Sequence, residues 1–152
     1  MSSLSVRTAI KSFLTTNAST EKQVDLTSDF QDFKELLTDS GVTEDGPFLG
    51  LQFIGDDEIP IALAATNDQG KYRESGAIFF HVATVAKLGN GDSLLTRGEA
   101  LRNLMRGRRI GSILIQSVTP MNFDSGATLQ FEGGYMSGSF LASYINDIDL
   151  LS

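Results

Sequence analysis

One stretch limits what this chain can fold into more than any other. Gly76-Ala77-Ile78-Phe79-Phe80-His81-Val82-Ala83-Thr84-Val85 reads as a long strand that is apolar on both faces. Successive strand side chains alternate between faces, so Ile78, Phe80 and Val82 point one way and Ala77, Phe79, Ala83 and Val85 the other. Each face needs a cover, and a chain of 152 residues has few helices with which to supply two. Either the sheet closes on itself or another subunit provides part of the cover.

The rest of the chain arranges itself around that strand. Val6, Ala9, Ile10, Phe13 and Leu14 fall on one stripe of an amphipathic N-terminal helix from Leu4 to Thr15. A short extended piece is expected at Gln23-Val24-Asp25-Leu26. Ser28-Asp29-Phe30-Gln31 fits a capping box for a short helix marked by Phe30, Phe33, Leu36 and Leu37. Phe48 to Ile54 and Ile59 to Thr66 read as two strands with a tight turn at Asp56-Asp57, and Asn67 to Gly70 as a turn. Gly89-Asn90-Gly91-Asp92 closes the long strand and leads into a helix that starts at Ser93 or Thr96 and ends at Gly107. Ile110 to Thr119, Thr128 to Glu132 and Tyr135 to Ile145 are further strands, with a bend at Gly133-Gly134 and a loose tail over 146–152. A bent C-terminal hairpin is expected to reach a neighbouring subunit. The pattern predicts a single α+β domain over 1–152 with a mixed, mostly antiparallel sheet and one main crossover helix. That helix makes a locally parallel strand pair possible.

Hydrophobic residues at 41% and charged residues at 20% are enough for a core. No apolar run approaches the roughly 20 residues that span a bilayer, so no membrane partner is expected. There is no cysteine, hence no disulfide framework and no cysteine metal site. The net charge of −7 disfavours wrapping nucleic acid. Five of seven arginines, Arg97, Arg102, Arg106, Arg108 and Arg109, gather at the main helix and its end, while Glu44-Asp45 and Asp56-Asp57-Glu58 form small acidic clusters. This asymmetry suits self-association between unlike faces. A basic helix C-terminus that complements the helix dipole is the plainer alternative.

Catalytic equipment is sparse. His81, the sole histidine, could act as a general base with an acid such as Glu74 or Asp92, but it sits mid-strand among apolar neighbours. Asp56-Asp57-Glu58 lacks the spacing of a calcium loop. Gly89-Asn90-Gly91-Asp92 lacks the lysine-serine pair of a P-loop. No catalytic, cofactor or metal site is expected.

The N-terminal helix Ser5-Val6-Arg7-Thr8-Ala9-Ile10, the strand Phe48-Leu49-Gly50-Leu51-Gln52-Phe53 and the segment Tyr72 to Val82 with Arg73-Glu74-Ser75-Gly76 before its apolar run stand in a telling order. They are followed by Gly89-Asn90-Gly91-Asp92 with its helix, and then by Tyr135 to Ile145 with Asp147. In this arrangement the chain resembles the tail terminator proteins of long-tailed bacteriophages and prophages, from which Leu26 to Leu37 departs as an acidic, phenylalanine-rich insert. The resemblance implies a non-enzymatic virion protein without cofactor, made in the bacterial cytoplasm and placed at the tail–neck junction. It implies a homo-hexameric ring that caps the tail tube and ends its polymerisation. The implied partners are the tail tube protein, a neck or head-completion protein and the tail sheath, with genomic DNA passing the lumen without specific binding. The five arginines are the expected subunit or partner contacts. Another neck or tail-completion protein, or a small ligand-binding or enzymatic domain using His81, is the alternative.

Overall fold

The computed structural model describes residues 3–26, 33–43, 46–63, 70–85, 90–122 and 135–149. Helix α1 (Leu4–Asn17) begins where Ser3 accepts a hydrogen bond from the Val6 amide, and it buries Val6, Ile10 and Leu14 completely. Those three side chains contribute roughly 1.5–3 kcal/mol each. Strand β1 (Gln23–Asp25) and helix α2 (Phe33–Asp39) follow. Strands β2 (Phe48–Leu63) and β3 (Gly70–Val85) pair antiparallel over nearly their whole length. Helix α3 (Asn90–Met105) leads to β4 (Arg109–Ile110), β5 (Ile113–Val118) and β6 (Tyr135–Asp149).

These strands form one mixed, curled sheet in the order β1-β2-β3-β6-β5-β4, within the single α+β fold expected. Its inner face carries Leu49, Leu51, Phe53, Ile78, Phe80, Phe140 and Tyr144, packed under α1 and α3. Phe80 and Phe140 stack across β3 and β6 with ring centroids 4.6 Å apart. On the outer face Val24, Phe48 and Ala83 pack with Leu37 and Val42. Helix α1 touches both edge strands: Lys11 donates to Asp25 in β1 at 2.6 Å, and the Arg108 guanidinium beside β4 lies 5.5 Å from the centre of the Phe13 ring.

Several expectations need correction. Phe48–Leu63 is one strand, not two joined by a turn at Asp56-Asp57; the register shifts between Gly55 and Asp57 and again between Pro60 and Ala62. A bulge takes up an extra residue and bends the strand without ending the ladder. The parallel pair made possible by the crossover helix does not form, because β6 lies between β3 and β5, antiparallel to both. The parallel pair is β1 with β2. Gly111, at φ 60°, breaks the strand expected over 110–119 into β4 and β5. Helix α3 starts at Asn90, ahead of both expected starts; Thr96 does not cap it but donates back to the Asp92 carbonyl at 2.8 Å. The expected loose tail is partly strand: Asn146 is buried in β6 and accepts a 2.5 Å bond from the Ser112 hydroxyl. The capping box at 28–31, the turn residues 67–69, Gly89, the strand at 128–132 and the bend at 133–134 lie outside the described residues, and so does the bent hairpin built on them.

Candidate functional site

The five arginines do not act as one patch. Along an α-helix each residue turns by about 100°, so Arg97 and Arg106 face opposite sides. Arg97 is turned inward. Its guanidinium donates to Glu21 at 2.9 Å, to the Ala83 carbonyl at 3.0 Å and to the Phe48 carbonyl at 3.2 Å. Phe48 and Ala83 face each other across β2 and β3, so Arg97 clamps α3 and the Glu21 segment onto the end of that ladder. Arg102 holds the Thr119 carbonyl at 2.7 Å and Glu99 at 2.8 Å. Arg97 and Arg102 are therefore occupied inside the subunit.

Arg106, Arg108 and Arg109 form an exposed corner where α3 meets β4. Arg108 donates to the Leu104 carbonyl at 3.1 Å and covers Phe13. Arg106 and Arg109 enter no ion pair among the described residues. Gly107, at φ 64°, lets the chain turn sharply there, in a conformation that costs other residues dearly. The corner can offer three guanidinium groups to carboxylates or phosphates.

A second surface is apolar. Beyond the area under α2, the outer face presents Ile54, which is exposed, and Phe79, Leu114, Leu141 and Ile145, which are half-buried. Phe79 lies between Gln52 and Leu141 in the ladder, and Leu114 faces Ile145. The double-sided apolar pattern of the sequence anticipated this surface.

His81 lies on the same outer face, 2% exposed, with Nε2 3.4 Å from the Gln52 side-chain oxygen and its ring stacked 5.7 Å from Phe79. Burial lowers its pKa from 6.5 to about 4, so it is neutral at pH 7. Glu74 is on the inner face, where it accepts bonds from the Tyr144 hydroxyl at 2.7 Å and the Ser3 amide at 3.3 Å. Asp92 is exposed in the first turn of α3. The structure does not bring these three together. A cleft of about 250 Å³ between the ends of α1 and α3 is lined by Asn17, Thr20, Glu21, Arg97, Leu101 and Leu104, but its charged pair is joined to itself. Among the described residues no group of histidine or carboxylate side chains is placed to hold a metal ion. No helix among them is long and apolar enough to cross a membrane.

No family model matches the chain, and no curated protein matches it in sequence. Among solved structures it is similar to a protein whose designation states no function, at 15% identity and a TM-score of 0.51, over 93% of this chain and 92% of that one. At that identity the likeness concerns the fold alone.

Proposed function

We propose that this chain is a non-enzymatic virion protein of the tail terminator kind, a subunit of a six-membered ring that caps the tail tube, stops its growth and joins the tail to the capsid neck. In this reading the partners are further copies of the chain, the tail tube protein, the sheath and a neck protein, and genomic DNA passes through the ring. The observation that carries it is the outer sheet face, where Ile54, Phe79, Leu141 and Ile145 keep apolar surface in contact with water in the single subunit. Apolar surface of that kind marks sites of association. Support also comes from the segments that carry the family resemblance. Arg73 pairs with Asp147 at 2.8 Å across β3 and β6, and Gly76 sits beneath Tyr144 where a larger residue would collide. Arg73, Asp147 and Gly76 thus each have work within the subunit.

Light scattering of the purified chain, alone and mixed with its tail tube protein, tests the proposal. A six-fold mass, or a ring seen by electron microscopy only when tube is present, supports it. A monomer indifferent to tube at every concentration overturns it.

A further inference from the structure

The arginine corner is an island of positive charge on an acidic protein. Three of the seven arginines, Arg106, Arg108 and Arg109, stand within four residues, and all three are exposed. No acidic residue occurs between Ala100 and Asn122, nor between Met1 and Thr20, a stretch that includes the helix on which Arg108 rests. These two stretches hold six of the twelve basic residues and none of the nineteen acidic ones. Of the six, Arg7 and Lys11 share Asp25, and Arg102 holds Glu99. The three of the corner remain. Asp147 on β6 is held by Arg73 and does not offset them.

The surroundings of the corner decide which anion it suits. Between Arg102 and Thr119 every exposed residue is polar, charged or glycine, while Ile110 and Leu114 are half-buried. A protein interface draws its affinity from apolar and aromatic anchors, and the corner exposes none. Contact with a phosphodiester backbone needs only cations, amides and hydroxyls. Asn103 on α3 and Gln116 on β5 are exposed amides of that kind. Gly107 and Gly111, both at positive φ, turn the chain on either side of Arg108-Arg109. Arg108 lies over Phe13 of α1, whereas Arg109 is in register with Leu114 and Ile145 on the outer side of the sheet. The guanidinium groups therefore spread apart. That arrangement fits successive phosphates of a chain better than one small anion.

We infer that Arg106, Arg108 and Arg109 form a contact for the phosphate backbone of nucleic acid, made without regard to base sequence. This goes beyond the ring reading and does not depend on it. The rest of a chain with net charge −7 repels the same polymer. The contact is therefore local and weak, and it lets nucleic acid slide past rather than wrap. Each guanidinium that neutralises a phosphate releases condensed counterions, so binding falls as salt rises.

Fluorescence anisotropy of a labelled DNA duplex of mixed sequence, titrated with the purified chain at several salt concentrations, tests the contact. With three phosphates neutralised, log K should fall against log salt with a slope of about −3. Arg106→Gln and Arg109→Gln should each weaken binding severalfold and reduce that slope by about 1. Arg106→Lys with Arg109→Lys should keep most of the binding, because phosphate also accepts a point charge. Lys22→Gln removes the same charge at an exposed position beside the other end of the sheet order, and it should change little. Thermal melts confirm that each variant is folded. Absence of binding at the lowest salt overturns the inference, and so do equal losses from Lys22→Gln and the arginine variants. Poly-glutamate that binds as tightly as DNA of matched charge also overturns it, marking the corner as a dock for an acidic protein. Should a variant fail to fold, a salt slope near zero in the unaltered chain is sufficient to refute the contact. Each of these failures leaves the ring reading standing. A chain that binds DNA through the corner yet never assembles keeps the contact and overturns the ring.

Discussion

The Tyr144 hydroxyl donates a 2.7 Å hydrogen bond to Glu74 on the next strand, and its ring crosses over Gly76 to do so. A Cβ on Gly76 would lie 2.7 Å from the Tyr144 oxygen and 2.4 Å from the Ile54 carbonyl oxygen. Real Cβ atoms do not approach so closely, and neither the buried tyrosine nor the β2 backbone yields easily. Gly76→Ala should therefore cost about 1–3 kcal/mol, read as a lowered midpoint in urea unfolding. An unchanged midpoint would refute this account of the tight fit.

Gly98 offers a contrast at similar distances. Its Cβ would meet the Met121 side chain at 2.4 Å from Cε and 2.5 Å from Sδ. Methionine is flexible and partly exposed here, so it can swing aside. Alanine also favours the helix by about 1 kcal/mol over glycine. Gly98→Ala should leave stability within about 1 kcal/mol of the unaltered chain. A loss as large as that from Gly76→Ala would show Met121 to be locked.

Arg97→Ala removes the clamp on two strand carbonyls and leaves Glu21 without its partner. A loss of about 1–3 kcal/mol is expected, a fall of several degrees in the thermal midpoint. Arg97→Lys should recover little of it, because one ammonium cannot reproduce the fork. Full rescue by lysine would reduce the role of Arg97 to its charge.

His81 should make stability depend on pH in a defined window. Its folded pKa of about 4 lies below the ordinary 6.5, because burial disfavours the charged ring. The unfolded chain thus binds the proton first as pH falls. The stability from His81 is complete above about 6.5 and is lost progressively down to about 4, to a total of about 3 kcal/mol. Comparing the pH dependence of the unaltered chain with that of His81→Gln isolates this share from the carboxylates. Equal slopes between pH 7 and 5 would contradict it. In the ring reading the same variant keeps its capacity to assemble.

The fold was legible in the sequence wherever periodicity was strong. Val6, Ile10 and Leu14 lie where the helical stripe put them, and Ile78, Phe80 and Val82 share the inner face as the alternation required. The misreadings have a common cause. Asp56-Asp57 and Gly111 carry turn chemistry, yet one is a bulge inside a ladder and the other a break within a strand, and long-range pairing decides between those outcomes. The insertion of β6 between β3 and β5 is a property of the whole sheet and leaves no local mark. For the arginines, the count was informative and the grouping was not. The helical angle between Arg97 and Arg106 already separates an inward clamp from an outward corner, whereas the carbonyls that Arg97 holds belong to residues 48 and 83 and lie far off in sequence.

The central position of β3 between β2 and β6 governs when the molecule can fold. β6 is made long after α1, yet it supplies Phe140 and Tyr144 to the core on which α1 must rest. Helix α1 thus waits for β6. Partners so distant in sequence slow the search for the native state. The core is unfinished until β6 is in place, so the outer apolar face, to which β6 adds Leu141 and Ile145, reaches its final arrangement only then.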